Sequence, residues 1–236
     1  FLKFNFVNTF LYESILFVSF ICVSGLFFMA IKQKKSLPLL LSGLSGTILL
    51  LTAKAFAGID TMGTLEAVLN TNFWLSTHVI CITIGYGVCL ITSLVAHCYF
   101  LLKENSFLLP TIKGLALLSL LFTAIGTILG GLWADQSWGR FWGWDPKENG
   151  ALLIVLWIIW LLHSRLTRHL TDDGFAAGAA FLSVIVVLAW FGVNLLSVGL
   201  HSYGFISGVA WGIGLFCTAE IVTIGGLWFY RNSKTA

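Results

Sequence analysis

Residues 74–101 read W-L-S-T-H-V-I-C-I-T-I-G-Y-G-V-C-L-I-T-S-L-V-A-H-C-Y-F-L and contain no Asp, Glu, Lys or Arg. A helix needs about 20 mostly apolar residues to cross a bilayer, and this run is long enough. Further spans are predicted at 13–31, 37–56, 111–132, 147–164, 175–196 and 205–229. The sequence therefore predicts an all-α fold, a polytopic transmembrane helical bundle of about seven spans that forms one domain over residues 1–236.

The composition excludes an ordinary soluble protein. Of the 236 residues, 58% are hydrophobic and only 10% are charged, whereas soluble domains are roughly 25% charged. The net charge of +3 does not point to nucleic acid as a partner. The five cysteines lie in or beside apolar runs without a CxxC pair, which favours small buried side chains over a thiol redox centre. The first apolar run lacks a basic leader and a small-residue cleavage site, so no cleavable signal peptide is expected.

The lysines and arginines predict the orientation, because loops on the cytoplasmic side carry an excess of both. Nine of the thirteen fall on one side: Lys32, Lys34, Lys35, Lys103, Lys113, Arg165, Arg168, Arg231 and Lys234. The other side receives Lys3, Lys54, Arg140 and Lys147. The N-terminus is therefore predicted outside and the C-terminus inside, with residues 57–73, 133–146 and 197–204 on the outer side.

An aromatic cluster lies in the second outer segment. Residues 133–149 read W-A-D-Q-S-W-G-R-F-W-G-W-D-P-K-E-N, and we call residues 133–148 the tryptophan segment, predicted to be an outer loop. An aromatic belt at the membrane interface explains one or two of these tryptophans. Four of them interleaved with Gly139 and Gly143 favour a platform for a large planar ligand, because glycine lets a ligand approach the backbone.

The end of the tryptophan segment has a structural interpretation. Asp145 is a favourable N-cap, Pro146 a favourable first helical residue, and Glu148 completes a capping box. This role argues against a catalytic carboxylate pair. Arg140 and Lys147 are cations of the outer side that would neutralise carboxylates of the planar ligand, or would simply be solvated at the interface.

The histidines suggest what the planar ligand is. His78 and His201 are both predicted on the outer side, as is the tryptophan segment, and haem iron accepts two axial imidazoles. His163 lies about 27 Å from Asp145 by helix rise, near the inner face. An ionisable residue at membrane depth is a candidate functional residue, although His163 could also be an interfacial residue beside Arg165. His97 and His169 are expected to be interfacial or solvated.

Four motifs together resemble the CcsA family, also called ResC, of cytochrome c biogenesis. They are L-Y-E-S at 11–14, W-G-R-F-W-G-W-D-P-K-E at 138–148, L-L-H-S-R-L at 161–166 and F-G-V-N-L-L-S-V-G-L-H-S-Y-G at 191–204. The tryptophan-rich part resembles the "WWD" signature of haem-handling proteins. The resemblance implies that His78 and His201 ligate the iron of haem b over this segment, and that His163 is a transmembrane ligand on the route by which haem enters.

The resemblance also implies an activity. Such proteins work with CcsB in a bacterial inner membrane or a plastid thylakoid membrane, export haem, and attach it to the CxxCH motif of apocytochrome c. This chain would then be a component of a holocytochrome c synthase. The expected haem contacts are Trp133, Trp138, Gly139, Arg140, Phe141, Trp142, Gly143, Trp144, Asp145 and Lys147. No general acid or base is apparent.

Two alternative functions remain open from the sequence. One is a haem carrier or exporter without ligation activity, similar to CcmC or CcmF. The other is a b-type electron-transfer cytochrome, which would need paired histidines within the spans for two stacked haems.

Overall fold

The computed structural model describes residues 11–56, 73–102, 106–196, 198–199 and 208–233, and its regular structure there is entirely helical. The elements, in chain order, are α1 (Leu11–Gln33), α2 (Ser36–Phe56), α3 (Phe73–Leu101), α4 (Leu108–Trp138), α5 (Pro146–Leu166), α6 (Asp172–Ala180), α7 (Leu182–Trp190), a 3-10 helix (Gly192–Leu196) and α8 (Val209–Asn232).

The prediction of seven spans is confirmed. Among the described residues, seven helical segments are long and apolar enough to cross a membrane. Helices α6 and α7 share the sixth span, Asp172–Trp190, which is interrupted at Phe181. The Ala180 carbonyl at this interruption accepts hydrogen bonds from Ser93 Oγ at 2.7 Å and from Ser183 Oγ at 2.9 Å. The broken backbone therefore keeps hydrogen-bond partners where water is absent.

Helix α4 differs from its predicted extent. It was predicted to end near residue 132, before an outer loop, yet it continues to Trp138. The polar residues that begin at Asp135 lower the hydropathy but do not oppose a helix. The helix ends where Gly139 adopts a φ of +68°, a left-handed conformation that glycine accepts readily at a helix C-terminus.

The described helices divide into two compact units. The first contains α1, α2, the part of α3 up to Gly87, and residues 122–143. Its first two helices form a hairpin in which Ser42 Oγ donates to the Val23 carbonyl at 3.1 Å. A Cβ on Gly46 would lie 2.8 Å from Val23 Cγ2, so the small residue allows the close packing of α1 and α2.

The second unit contains residues 88–121 and 144–236. Here α5 packs on α7 and α6 through small residues. A Cβ on Gly150 would lie 2.9 Å from Ala189 Cβ, and Trp157 Nε1 donates to the Gly178 carbonyl at 2.9 Å. These contacts fix α5, which carries His163.

Helix α8 is joined to the second unit by polar contacts near its C-terminus. Arg231 Nε lies 3.1 Å from Asp173 Oδ1, and Tyr99 OH donates to the same oxygen at 2.7 Å. Its outward residues are apolar and exposed, with Trp211 82% and Phe229 71% exposed. Such a surface is suited to lipid.

The cysteines behave as small side chains. All five are free thiols, and Cys22, Cys89 and Cys98 are buried. This agrees with the absence of a CxxC pair in the sequence.

Candidate functional site

The start of α5 is held by the predicted capping box. Asp145 Oδ1 accepts from the Lys147 backbone N–H at 2.9 Å, and the Asp145 N–H donates to Glu148 Oε2 at 3.1 Å. Pro146 is the first helical residue. Asp145 is only 4% exposed, so its carboxylate serves the helix end. The capping role of both acidic residues is confirmed.

The tryptophan segment begins inside a helix. Trp133 is 1% exposed and forms a small core with Leu75 and Ala134. The rings of Trp133 and Trp138 meet edge to face, with centroids 4.5 Å apart. Trp133 is therefore a buried anchor of α4, and the loop begins after Trp138.

The loop that follows α4 is folded back on itself. Gly131 has no side chain, and a Cβ there would lie 2.6 Å from Phe141 Cζ, so the Phe141 ring rests on α4. The Arg140 guanidinium lies 5.9 Å from the Trp138 ring centroid and against Gly143. Phe141 remains 45% exposed, which leaves part of its ring accessible to a ligand.

Trp144, the last aromatic residue of the tryptophan segment, lies at the surface of the protein. It is 70% exposed and has a φ of +58°, which is uncommon for a residue other than glycine. Asn149 Nδ2 donates to its carbonyl at 3.0 Å and supports this conformation. Strained backbone with an exposed ring is typical of a functional position.

His78 is half-buried on α3 and lies against α4. Its Nδ1 is 2.6 Å from the Gly126 carbonyl oxygen. Leu75 and Val79, on the same face of α3, pack with the Trp133 core. The structure thus brings one predicted ligand next to the start of the tryptophan segment.

Arg140 and Lys147, the two cations of the tryptophan segment, have partners within the chain. Lys147 Nζ donates to the Trp190 carbonyl at 3.1 Å, and Arg140 covers Trp138. Both groups are held in place, although a charged head group can still attract a carboxylate beside it.

The family of the protein follows from comparison with known sequences. The pattern of the family described as cytochrome C assembly protein matches residues 9–201. A cytochrome c biogenesis protein CcsA of Guillardia theta is 30% identical over 234 residues, covering 84% of this chain and 76% of that protein. The chain belongs to the CcsA family of cytochrome c assembly proteins.

Two further relatives differ in length. CcsA of Chlamydomonas reinhardtii is 33% identical over 216 residues, covering 83% of this chain and 60% of that protein. Protein NrfI of Wolinella succinogenes is 33% identical over 207 residues, which cover 81% of this chain and 22% of NrfI. The match to the cytochrome C assembly family at residues 9–201 includes His78, His163, His201 and the tryptophan segment.

The other two predicted ligands of this CcsA-family chain are placed differently. His201 lies outside the described residues. His163 is exposed and lines a groove of about 840 Å³ between the N-terminal half of α4 and the C-terminal half of α5. Apolar side chains such as Leu117 and Leu162 form most of its wall, and Lys113 and Arg168 add positive charge.

A polar cluster of the second unit was missed. His97 was expected to be interfacial or solvated, and the structure shows that it is not fully solvated, because its side chain is only 16% exposed. Its Nε2 lies 3.4 Å from Glu220 Oε1 with the His97 side chain 16% exposed, and its Nδ1 is 2.8 Å from the Ser93 carbonyl. Ser183 Oγ donates to the same Glu220 oxygen at 2.6 Å. The available signal was a lone glutamate within the apolar run of the last span.

His169 is placed as expected for a solvated residue. It is exposed, and its Nδ1 lies 2.8 Å from Thr167 Oγ1 in the loop between α5 and α6. Because it does not line the groove, His169 offers a control for the removal of His163.

Proposed function

We propose that this protein carries haem b across the membrane and attaches it to the CxxCH motif of apocytochrome c on the outer side. It would act with a CcsB-like membrane protein, as a component of a holocytochrome c synthase. The observation that carries the proposal is His78, fixed on α4 by the Gly126 carbonyl beside the Trp133 core. A ligand held before its metal arrives is what a haem-presenting site requires.

The proposed outer ligands are His78 and His201, one on each face of the macrocycle. Phe141 and Trp144 are each exposed enough to offer aromatic surface, and Trp133 and Trp138 pack against each other in the last turns of α4. The remaining proposed contacts, at the backbone or through charge, are Gly139, Arg140, Trp142, Gly143 and Lys147. Asp145 is proposed to contribute through its backbone alone, because its carboxylate caps α5.

The proposed reaction adds a cysteine thiol to a haem vinyl group. A sulfur–carbon bond forms at the vinyl carbon next to the ring, and the thiol proton ends on the terminal carbon. The addition itself consumes no oxidant, although it needs ferrous haem and reduced thiols. The residues of this chain would hold the macrocycle flat and leave a vinyl edge open, so the contribution of the protein is positioning.

His163 is proposed to ligate haem as it enters from the inner side. Its ring is exposed in the α4–α5 groove, whose volume lies within the range of small-molecule sites. An exposed imidazole on one side of the groove leaves the other face of the iron to a partner. A histidine from a CcsB-like chain would complete that coordination.

The membrane orientation belongs to the same proposal. The N-terminus would face the periplasm or thylakoid lumen, and the C-terminus the cytoplasm or stroma. Reporter fusions at Ala236 and within residues 139–144 should report opposite compartments. Reporters in one compartment would overturn the orientation.

The test of the activity uses the purified protein together with its CcsB-like partner. Ferrous haem and a reduced CxxCH peptide are added, and a SxxSH peptide serves as the control. Haem that stays on the CxxCH peptide after acidic acetone extraction, with the mass of a thioether adduct, supports the proposal. Haem that binds and transfers without a thioether would identify a carrier. Two haems bound within the spans would favour a b-type cytochrome.

A further inference from the structure

Helices α3 and α4 run antiparallel in the first unit and touch through small residues. A Cβ on Gly85 would lie 2.6 Å from Thr123 Cγ2, and one on Gly126 would lie 2.9 Å from the Ile82 backbone nitrogen. One helical turn further along α4, a Cβ on Gly130 would lie 2.7 Å from His78 Cε1. Gly126 and Gly130 form a small-xxx-small pair, which lets helices in a membrane approach closely.

The His78 ring occupies the space that Gly130 leaves. Without that space the ring could not reach its backbone partner, since the Gly130 Cβ position also lies 2.8 Å from Nδ1. Leu75 and Val79 flank the ring along α3 and are themselves packed with the Trp133 core. The ring is therefore wedged between its own helix neighbours and the backbone of α4.

The hydrogen bond between His78 Nδ1 and the Gly126 carbonyl oxygen determines which ring nitrogen carries the proton when the ring is neutral. A carbonyl oxygen only accepts, so at 2.6 Å Nδ1 must carry the hydrogen. The lone pair then lies on Nε2. In metal sites the hydrogen bond of one ring nitrogen decides which nitrogen binds the metal, and it raises the basicity of the ligand.

We infer that Gly126 and Gly130 are positioning residues that select Nε2 of His78 as the iron-binding atom and hold the plane of its ring. Gly130 supplies the space and Gly126 supplies the acceptor. This inference deepens the proposed function and rests on it, because it requires His78 to be a haem ligand. It predicts that the geometry of the ligand depends on two residues that do not touch haem.

The first experiment compares glycine variants of the protein purified with its partner. Gly130→Ala pushes directly on the His78 ring and should weaken haem retention by about tenfold, the lower end for loss of outer-shell support. Gly85→Ala strains the same helix pair at Thr123 but does not reach His78. Gly114→Ala, on α4 with nothing within 4 Å of the added Cβ, is the neutral control.

The decisive readouts are the low-spin electron paramagnetic resonance signal and the reduction potential of the bound haem. In Gly130→Ala the signal should shift with the ring plane, and the potential should rise because the hydrogen bond to the ligand is weakened. In Gly85→Ala both should stay as in the unaltered protein, even if less protein folds. Equal shifts in both variants would reduce the effect to helix packing and overturn the inference.

A second experiment tests the hydrogen bond without altering a glycine. In His78→Gly, an added imidazole would enter the vacated space and donate to the Gly126 carbonyl. 4-Methylimidazole keeps an N–H after it binds iron, whereas 1-methylimidazole, which also carries one methyl group, does not. The 4-methyl isomer should restore the spectrum at a concentration about tenfold lower, after correction for the affinity of each isomer for haem in the same detergent.

The outcomes separate this inference from the function on which it rests. If His78→Gly keeps a normal haem spectrum, the proposed ligand is wrong. If His78→Gly loses the spectrum and both isomers restore it equally, His78 is a ligand but its hydrogen bond to Gly126 does not matter.

Discussion

His78 and His163 are both proposed to bind haem iron, yet the chain holds them in opposite ways. His78 is half-buried, with its Nδ1 bonded to a backbone carbonyl and its ring wedged on Gly130. His163 is exposed in an open groove with apolar walls. His78 is therefore preorganised by its own chain, whereas His163 would be enclosed only when a partner chain or a ligand fills the groove.

The difference matches two different tasks. A site that presents haem for bond formation needs a fixed macrocycle, because a displacement of about 1 Å can cost a hundredfold in rate. A site that receives haem and passes it on needs an accessible ligand and a reversible bond. Local rigidity at His78 and openness at His163 therefore fit presentation and transfer.

The largest expected effect comes from deleting the two rings. His163→Gly and His78→Gly should each lower the yield of cytochrome c by tenfold or more, roughly the cost of disturbing a metal site. Imidazole should rescue both. Because the groove at His163 is open, half-maximal rescue should need less imidazole there than at the half-buried His78 position. The measurement is cytochrome c yield against imidazole concentration.

The control for this comparison is His169→Gly, which removes an exposed histidine that does not line the groove. It should leave the yield unchanged at every imidazole concentration. A His163→Gly variant that behaves like His169→Gly would make His163 an interfacial residue. Equal imidazole requirements at positions 78 and 163 would remove the contrast between a closed and an open ligand.

A second test concerns the aromatic surface near His78. Gly131→Ala would place a methyl group against the Phe141 ring, so it should destabilise the protein by up to about 3 kcal/mol through overpacking. Haem retention should fall as the loop is displaced. In the double variant with Phe141→Ala the strain should disappear while the aromatic contact stays lost. Thermal unfolding and haem titration of the unaltered protein, the two single variants and the double variant give the coupling free energy between positions 131 and 141.

Stability that recovers in the double variant, with haem retention that does not, would show that the Phe141 ring contacts haem. Full recovery of haem retention would mean that Phe141 only packs on α4 and is not part of the platform.

The sequence predicted the elements well and their contacts poorly. The spans follow from length and apolarity, and the capping box at Asp145 from three adjacent residues, so both are local properties. The end of α4 at Trp138 was missed because the apolar run ends before the helix does. Gly126 and Gly130 are visible in the sequence as a spaced pair. The contact between His78 and these glycines depends on how α3 packs against α4. No local sequence pattern predicts that packing.

The same limit explains the cluster of His97, Ser183 and Glu220. These residues come from three spans, and each looks like an isolated polar position in the sequence. Only their meeting shows that His97 is engaged inside the second unit. His97, which contacts other side chains of the chain, can therefore be compared with His78 and His163, which are proposed to bind haem.

Glu220→Leu should lower the free energy of unfolding by about 2 kcal/mol, because Ser183 Oγ loses its carboxylate acceptor and His97 loses a neighbouring carboxylate. Haem spectra and cytochrome c yield per folded protein should stay unchanged. Ser183→Ala should show a smaller effect in the same direction. Loss of bound haem in Glu220→Leu at normal stability would bring His97 into the haem chemistry and favour a b-type cytochrome.

The smallest effect is expected at Asp145, which separates capping from haem contact. Asp145→Ala removes an N-cap and should cost about 1 kcal/mol, whereas Asp145→Ser keeps a capping oxygen and should cost less. The carboxylate already accepts from the Lys147 N–H and lies against Gly199, whose φ of +89° suits glycine. Haem spectra of both variants should therefore match the unaltered protein. Trp144→Ala is the counterpart, because its exposed ring is not part of the cap: it should weaken haem retention without loss of stability. If Asp145→Ser changes the haem spectrum at normal stability, Asp145 contacts haem and the cap is only half of its role.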